Sequence, residues 1–293
     1  GLMIMIREGS TERNLRELLP LVTDATYPRC CFASDDRDCH TLLHDGHIDE
    51  TLRRAVAGGL DPVRAIRMAT WNAADYWRLP RIGAVAPGYE ANLVLLGDLE
   101  RFAVSVTLFQ GNVVSRDGRY LAREVEPEIP AFLVGSMNPA PVRLRDLALS
   151  PGDATSAVEV IPGQIVTRRI DVEPRIAGGT AVADPDRGLL KLVCVERHRA
   201  TGRVGVGYVR GFGLKRGALA STIAHDAHNI VAVGVDDVDI LAAIATVAES
   251  QGGLAAVADG QLLGHLPLPI AGLLSDRPLA EVAEGYAAIE AIA

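Results

Sequence analysis

The sequence contains no long apolar run and no stretch typical of a secretory signal. Its apolar runs are all shorter than the roughly 18 to 20 residues that a membrane-spanning helix requires. The first residues also lack the charged, apolar and small-residue succession of a signal peptide. We therefore expect a cytoplasmic protein with no membrane partner.

Basic residues and paired cysteines are also scarce. Lys and Arg number 29 against 37 Asp and Glu, which gives a net charge of -8. A broad nucleic-acid surface needs a basic face, so we expect no nucleic-acid partner. The four cysteines include no Cys-x-x-Cys pair, which indicates reduced, structural thiols rather than a disulfide framework or a zinc knuckle. They are Cys30, Cys31, Cys39 and Cys194.

What the chain does contain is typical of a globular α/β or α+β protein. Hydrophobic residues make up 48% of the 293 residues and charged residues 23%, while aromatic residues contribute only 4%. This length allows one large domain or two to three smaller ones. The chain begins inside an apolar run, GLMIMIREGS, without a polar lead, and we therefore expect a fragment of a longer protein.

The first 80 residues alternate strand and helix patterns, which indicates a parallel α/β fold. Strands are predicted at Leu2 to Ile6 and around Cys30 to Ala33. Helices are predicted after a cap at Ser10 or Thr11, over His47 to Ala57, and from a cap at Asp61 to about Trp77.

The pattern changes after the last of these helices. From Gly83, short apolar runs alternate with turn signals, which predicts a β-meander. Residues 123–141 are rich in proline and have no clear period, so they are predicted to be a linker. An α+β domain follows, with strands in TRRIDVE, LLKLVCVERH, GRVGVGYVRG and HNIVAVGV and helices over Val238 to Glu249 and Leu279 to Ile292.

Two adjacent aspartates, Asp35 and Asp36, follow the second predicted strand in RCCFASDDRDC. Functional groups of parallel α/β barrels lie at the carboxyl ends of the strands. A carboxylate there can bind a divalent metal and take a proton from metal-bound water. The alternative is structural, with Asp36 capping the next turn and Asp35 paired with Arg37 or another neighbour. The residue types alone leave both interpretations open.

Two further groups of polar residues near these aspartates are equally ambiguous. Arg7 and Glu8 end the first predicted strand, where they either contact a substrate or form an ion pair at the barrel rim. His40, His44 and His47 have the spacing of ligands on one helical face. However, the intervening Asp-Gly pair favours a loop that precedes a helix.

A third candidate is the stretch STIAHDAHNIVAVG, which precedes an apolar strand. Its polar residues are His225, Asp226, His228 and Asn229. Burying such groups without partners is costly, so they either line a pocket or lie in a solvated turn. The glycine-rich GYVRGFGLKRGALAS before them does not have the dinucleotide-binding spacing. We expect it to form a flexible loop over a site.

Four stretches together resemble the second half of the bacterial adenine deaminase family, within the amidohydrolase superfamily. The resemblance covers nearly all 293 residues, and the last stretch is specific to that family rather than to amidohydrolases at large. The stretches are MIREGSTERNL, FASDDRDCHTLLHDGHIDETLRRAVAGGLDPVRAIRMATWNAADYWRL, GAVAPGYEANLVLL and GFGLKRGALASTIAHDAHNIVAVG.

The resemblance implies a division into four parts. These are the C-terminal end of a metal-dependent (β/α)8 barrel at 1–79, a segment of a small composite β-sandwich at 80–124, a linker at 125–141 and a separate α+β C-terminal domain at 142–293. It also implies hydrolytic deamination of adenine to hypoxanthine and ammonia by metal-activated hydroxide, in purine salvage.

The resemblance implies roles for individual residues as well. Asp35 would bind the metal and act as the general base, whereas Asp36 matches a family aspartate without an assigned role. The candidates for substrate contact or site lining are Arg7, Glu8, Ser34, His225, Asp226, His228 and Asn229.

The implied cofactor is a divalent metal, with manganese expected and iron or zinc also compatible with one carboxylate. The metal histidines of the family lie in its first half, and nothing in this sequence matches them. We therefore expect three partners, namely adenine, the upstream half of the same enzyme, and further copies in a homo-oligomer. The chain by itself is expected to be incomplete and inactive.

Two other functions stay open. The chain could belong to another amidohydrolase that acts on a cyclic amide, although the C-terminal stretch argues against this. It could also be a non-catalytic fragment or subunit, an interpretation that the missing upstream histidines favour for the isolated chain.

Overall fold

A computed structural model describes residues 2–122 and 128–292 of the chain. The chain forms two compact units, Gly1–Pro127 and Glu128–Ala293. Residues 123–127, at the start of the predicted linker, lie outside the described residues. No helix within the described ranges is long and apolar enough to cross a membrane.

The first unit begins with two parallel strands, as the sequence predicts. β1 (Ile4–Arg7) pairs with β2 (Cys30–Ala33), and the register places Arg7 opposite Ala33. Ile6 and Phe32, from the two strands, are buried in the core of this unit. Because the strands are parallel, the residues that follow both of them emerge at the same edge.

Within residues 2–122, five α-helices accompany these strands. They are α1 (Leu15–Leu18), α2 (Cys39–His44), α3 (Ile48–Ala57), α4 (Pro62–Ala69) and α5 (Trp71–Tyr76). The predicted cap at Asp61 is confirmed, because its carboxylate accepts a hydrogen bond from the Arg64 amide at 3.0 Å. The predicted helix over His47 to Ala57 is confirmed as α3.

The predicted cap at Ser10 or Thr11 is wrong. The residue before α1 is Asn14, whose side-chain oxygen accepts from the Arg7 amide at 2.8 Å instead of capping the helix. Ser10 Oγ accepts from the Asp38 amide at 2.9 Å, so this hydroxyl binds the segment after β2. The Ser10 hydroxyl therefore makes a long-range hydrogen bond instead of the helix cap that the local sequence predicts.

The single helix predicted from Asp61 to about Trp77 is divided in two. Thr70 leaves the helical conformation, with φ -125° and ψ -87°, and separates α4 from α5. Its hydroxyl donates to the Ile66 carbonyl at 2.7 Å. A threonine that bonds back to the preceding turn offers the backbone an alternative to the helical ladder, which accounts for a break at this position.

The predicted β-meander is present as a four-stranded antiparallel sheet in sequence order. Its strands are β3 (Leu93–Leu96), β4 (Val104–Phe109), β5 (Asn112–Arg116) and β6 (Arg119–Tyr120). The turn between β4 and β5 contains Gln110 and Gly111, both with positive φ, as the tight hairpins of such sheets require.

The second unit is built on an eight-stranded sheet in the order β16-β15-β13-β14-β11-β12-β7-β8, antiparallel except between β12 and β7. A separate hairpin is formed by β9 and β10. The strands are β7 (Ser156–Val160), β8 (Thr167–Asp171), β9 (Arg175–Ala177), β10 (Thr180–Val182), β11 (Leu189–Val195), β12 (Val204–Arg210), β13 (Ala218–Ser221), β14 (Ile230–Gly234), β15 (Gly253–Ala258) and β16 (Gln261–Pro267).

Two helices pack on this sheet, α6 (Asp237–Glu249) against its middle and α7 (Leu279–Glu290) against β16. Both match predicted helices. The apolar side of α6 is buried with residues of β11, β13, β14 and β15 in the main core of the unit. The glycine-rich stretch predicted as a loop is partly strand, because it starts within β12 and ends within β13.

Part of the predicted linker belongs to the second unit. Met137 is buried in the main core, and the Asn138 amide donates to the Arg197 carbonyl at 2.7 Å. Val134 forms a β-bridge with Ile270. Of the prolines that suggested a linker, Pro130, Pro139 and Pro141 therefore lie in an irregular segment that is packed against the unit, where proline is tolerated because no ladder hydrogen bond is needed.

Candidate functional site

The carboxyl ends of β1 and β2 bring Arg7 and Asp35 together. Arg7 Nη1 donates to Asp35 Oδ2 at 2.7 Å, and the same guanidinium also pairs with Glu12. Asp35 is exposed and has a φ of +54°, in the left-handed region that few residues other than glycine adopt. Such a conformation at a strand end is a frequent feature of functional sites.

The charge of Asp35 is fixed by its neighbours. Partial burial by itself would raise the pKa of this carboxyl group, but the hydrogen bonds from the Asp36 amide and from Arg7 outweigh that effect and lower it. Asp35 Oδ1 accepts from the Asp36 amide at 2.8 Å. Asp35 is therefore an ionised carboxylate near neutral pH, with both oxygens engaged.

The structure also tests the alternative, structural roles of Asp35 and Asp36. Asp35 pairs with Arg7 rather than with Arg37, whose guanidinium donates to the carbonyls of Glu8 and Gly46. The cap of α2 is Asp38, which accepts from the Thr41 amide at 2.7 Å. Asp35 therefore does form an ion pair with a neighbour, as the structural alternative allowed, but the partner is Arg7, and the cap of α2 is Asp38 rather than Asp36.

Glu8, the second residue at the end of β1, is buried and forms an ion pair with the partly exposed Arg54. Its side chain is 7% exposed, and its Oε1 accepts from Arg54 Nη1 at 2.7 Å. Arg54 also pairs with Glu50 within α3 at 2.6 Å, so the rim of β1 is tied to that helix. This geometry matches the ion-pair interpretation of Glu8.

The loops after β1 and β2 approach each other closely at Gly9. A side chain at Gly9 would place its Cβ 2.9 Å from the Asp36 carbonyl and 3.1 Å from the Ser34 carbonyl. The Ser10 amide donates to the Asp36 carbonyl at 2.9 Å. Ser34 is half-buried between β2 and Asp35. A residue without a side chain is therefore needed at Gly9 to keep Asp35 in place.

The three histidines after Asp35 do not form a metal site. His40 and His44 lie on α2 with ring centroids 4.5 Å apart, and His47 precedes α3. Within residues 2–122 and 128–292, no group of three His, Cys, Asp or Glu side chains could hold a metal ion. The described residues therefore do not fit a complete metal site.

The polar stretch at residues 225–229 lies in the second unit, between β13 and β14. His225 and Asp226 are exposed, whereas His228 and Asn229 are half-buried. The rings of His225 and His228 meet edge to face with centroids 5.0 Å apart. Burial, reinforced by repulsion from His225 and Arg197, lowers the pKa of His228 and favours its neutral form.

A buried arginine beside this stretch was not predicted from the sequence. Arg197 follows β11, is 3% exposed, and donates through Nε to the His228 carbonyl. Burial lowers its pKa. No sequence pattern singles out Arg197, because an arginine in a charged run such as ERHR is expected on a solvated turn.

Comparison with known proteins gives matches to two families. Residues 5–114 match the amidohydrolase family, and residues 164–293 match the adenine deaminase C-terminal domain. The first match contains Arg7 and Asp35, and the second contains Arg197 and the stretch at residues 225–229.

Three relatives illustrate the similarity to whole proteins. An adenine deaminase of Dehalococcoides mccartyi is 47% identical over 286 residues, which are 97% of this chain and 50% of the relative. Adenine deaminase 2 of Carboxydothermus hydrogenoformans is 41% identical over 97% of this chain and 50% of its own length. An adenine deaminase of Oleidesulfovibrio alaskensis is 41% identical over 100% of this chain and 51% of its own length.

The chain thus spans about half the length of the curated relatives it matches. The order of the two matched segments is an amidohydrolase segment followed by the adenine deaminase C-terminal domain. By sequence, the chain is similar to the carboxyl-terminal half of these adenine deaminases.

Proposed function

We propose that the chain is the carboxyl-terminal half of an enzyme that hydrolyses adenine to hypoxanthine and ammonia, in purine salvage. The observation that carries this proposal is the placement of an ionised carboxylate, Asp35, at the carboxyl end of a parallel strand within the segment matched to amidohydrolases. The match of the second unit to the adenine deaminase C-terminal domain supports adenine rather than a cyclic amide as substrate.

In the proposed full-length enzyme, the first unit of this chain supplies parts of two larger structures, a (β/α)8 barrel and a composite β-sandwich. Residues 1–79 contribute the last strand and helix units of a (β/α)8 barrel, which as a whole takes about 250 residues. Residues 80–124 contribute the β-meander to a composite β-sandwich, and residues 142–293 are the C-terminal domain, whose core also contains Met137 of the predicted linker. The parallel pairing of β1 and β2, each followed by helices, supports the assignment to a barrel.

Asp35 is the proposed general base. In the hydrolysis a C–O bond forms and the exocyclic C–N bond breaks, while a proton moves from the attacking water to the departing ammonia. Asp35 Oδ2 accepts that proton and returns it to the leaving nitrogen. The pairing with Arg7 lowers the pKa of Asp35 and so weakens it as a base. We propose that Asp35 exchanges Arg7 for the reacting groups when substrate binds.

The family implies a divalent metal, to which we propose that Asp35 contributes one ligand. Manganese is the proposed ion, with iron and zinc as the alternatives that metal analysis would identify. The metal would supply Lewis-acid activation of water. The remaining ligands are proposed to come from the upstream half that the relatives possess.

Other residues are proposed to contact the substrate or to line the site. In the first unit these are Arg7 and Glu8 at the carboxyl end of β1 and Ser34 directly after β2. In the second unit the polar stretch contains groups that can recognise a purine, namely His225, Asp226, His228 and Asn229. We also propose that the complete enzyme is a homo-oligomer, which light scattering would test.

The role of Asp35 is tested in the full-length enzyme, meaning this chain joined to its upstream half. We expect Asp35→Asn to lower kcat for adenine by about 10²- to 10⁴-fold, because the amide cannot accept the proton. Metal content measured on the same samples should also fall. The adjacent carboxylate provides the matched control, and Asp36→Asn should retain kcat within about threefold.

Two results would count against these assignments. Equal activity of Asp35→Asn and the unmodified enzyme would remove Asp35 from the chemistry. An unmodified full-length enzyme that hydrolyses a cyclic amide and leaves adenine intact would refute the substrate.

A further inference from the structure

The guanidinium of Arg197 is buried, and no acidic residue of the described part of the chain pairs with it. Arg197 is 3% exposed, and its hydrogen bonds to the described residues all go to carbonyl oxygens. Nε donates to the His228 carbonyl, and Nη1 and Nη2 each donate to the Ala271 carbonyl at 3.2 Å. Burying a charge in this way is costly, so the contacts it makes must serve to hold these segments together.

The absence of a side chain at Gly272 leaves space for the Arg197 guanidinium. Gly272 has a φ of +70°, and a Cβ at this position would overlap Arg197 Nη1. The Gly272 carbonyl accepts from Thr222 Oγ1 at 2.6 Å, and the Ala271 amide donates to the Leu133 carbonyl at 2.6 Å. The segment that receives the guanidinium is therefore itself anchored at two further points.

The stretch at residues 225–229 is fixed through its backbone. Arg197 binds the His228 carbonyl, and the His228 amide donates to the Ala224 carbonyl at 2.6 Å. His228 has a φ of +49°, which is uncommon for a histidine. The ring of His198 lies 2.9 Å from the Ala227 carbonyl. Several contacts thus hold a backbone shape that the residues would not adopt by themselves.

The side chains held by this backbone present unpaired polar atoms. His228 Nδ1 and Asn229 Oδ1 are buried and have no hydrogen-bond partner in the described chain. Buried polar atoms in native proteins are almost always paired, with protein, water or ligand. Unpaired polar atoms on two consecutive residues of a fixed backbone therefore indicate a place where another molecule completes the hydrogen bonds.

We propose that Arg197 is a positioning residue that holds residues 225–229 so that His228 Nδ1 and Asn229 Oδ1 bind the hydrogen-bonding edge of a purine base. The assignment of a purine rests on the proposed function. Asn229 Oδ1 can only accept and so takes an N–H of the base. A neutral imidazole nitrogen pairs with a ring nitrogen or with a second N–H, depending on its tautomer.

The test is equilibrium binding of adenine to the full-length enzyme, measured by dialysis under conditions without turnover. We expect Arg197→Lys to weaken binding about tenfold or more, because a lysine cannot contact the His228 and Ala271 carbonyls with the same planar fork. At saturating adenine, kcat should change by less than about threefold. Hydrogen exchange of residues 225–229 should be faster in this variant, since their backbone anchor is lost.

A second variant tests the contact without disturbing the anchor. Asn229→Leu should weaken adenine binding about tenfold, by removal of the acceptor, and leave exchange at residues 225–228 unchanged. The matched control is Lys191→Met, which removes another buried cation, one that pairs with Asp237 at 2.6 Å. This control should lower thermal stability but retain adenine affinity.

The outcomes separate this inference from the proposed reaction. If the unmodified enzyme binds adenine but does not deaminate it, the proposed reaction fails and the binding data alone decide the role of Arg197. Normal affinity in both Arg197→Lys and Asn229→Leu would overturn the inference. Absence of adenine binding by the unmodified enzyme would also overturn it, because the unpaired atoms would then be completed by water only.

Discussion

Single side chains that bind backbone groups hold the irregular segments of both units. In the hairpin between β11 and β12, the Glu196 carboxylate accepts from the amides of Thr201, Arg199 and His198 at 3.0, 2.8 and 2.5 Å. The hydrogen bond from the Thr201 amide is the largest of several that lower the pKa of Glu196 to about 2. One carboxylate therefore organises the turn that leads from Arg197 to β12.

Glu196 should make the stability of the second unit depend on acid pH. Because its pKa is lower in the folded chain than its ordinary 4.5, its contribution is complete above pH 4.5 and is lost as pH falls toward about 2. We expect Glu196→Gln to lower the melting temperature at pH 7 and to match the unmodified chain near pH 2. Thermal unfolding followed by circular dichroism at several pH values measures this difference.

The control for this prediction is Glu249→Gln, at the exposed carboxyl end of α6. This substitution should leave the pH dependence of the melting temperature unchanged. A difference between Glu196→Gln and the unmodified chain that is as large at pH 2 as at pH 7 would contradict the assigned role of the carboxylate.

The sequence correctly predicts the secondary-structure elements that depend on local residue patterns. The apolar runs of β1 and β2 and the Asp61 cap with its following proline are confirmed in place. The cap at Ser10 and the uninterrupted helix through Thr70 are wrong, because each hydroxyl binds elsewhere. Local propensity cannot show which of two competing hydrogen bonds a side chain makes.

In the candidate site, too, the features that depend on local sequence were predictable and those that depend on distant contacts were not. The strand-end position of Asp35 follows from the order of apolar and polar residues, so its location was predictable, although its pairing with Arg7 was not. Arg197 was missed because its burial results from contacts with residues 31 and 74 positions away along the chain. Its charge would suggest a surface residue, and nothing nearby in sequence indicates otherwise.

The cap of α4 offers a test at the level of one element. Asp61→Ala removes the acceptor for the Arg64 amide and should destabilise the first unit by about 1 kcal/mol. The two tryptophans of the sequence, Trp71 and Trp77, both lie in this unit, so urea unfolding followed by their fluorescence reports on it.

Asp61→Asn is the matched control for the cap, since the amide oxygen can still accept the hydrogen bond and should cost only a few tenths of a kcal/mol. A loss of less than about 0.3 kcal/mol in Asp61→Ala would show that the observed bond does not stabilise α4.

At the scale of the whole molecule, the chain is two compact units with separate cores. The first unit supplies one ionised carboxylate at a strand end, and its described residues do not fit a complete metal site. The curated relatives are about twice as long as the chain. We infer that the catalytic site is divided along the full-length sequence, with Asp35 in this half.

The division of the site is tested most directly by measuring the conversion of adenine to hypoxanthine for three samples at equal concentration. These are the chain alone, the upstream half alone, and the two joined in one polypeptide, each with its metal content determined. We expect only the joined polypeptide to bind metal and to convert adenine. Conversion of adenine by the isolated chain at a rate comparable to that of the joined polypeptide would contradict a divided site.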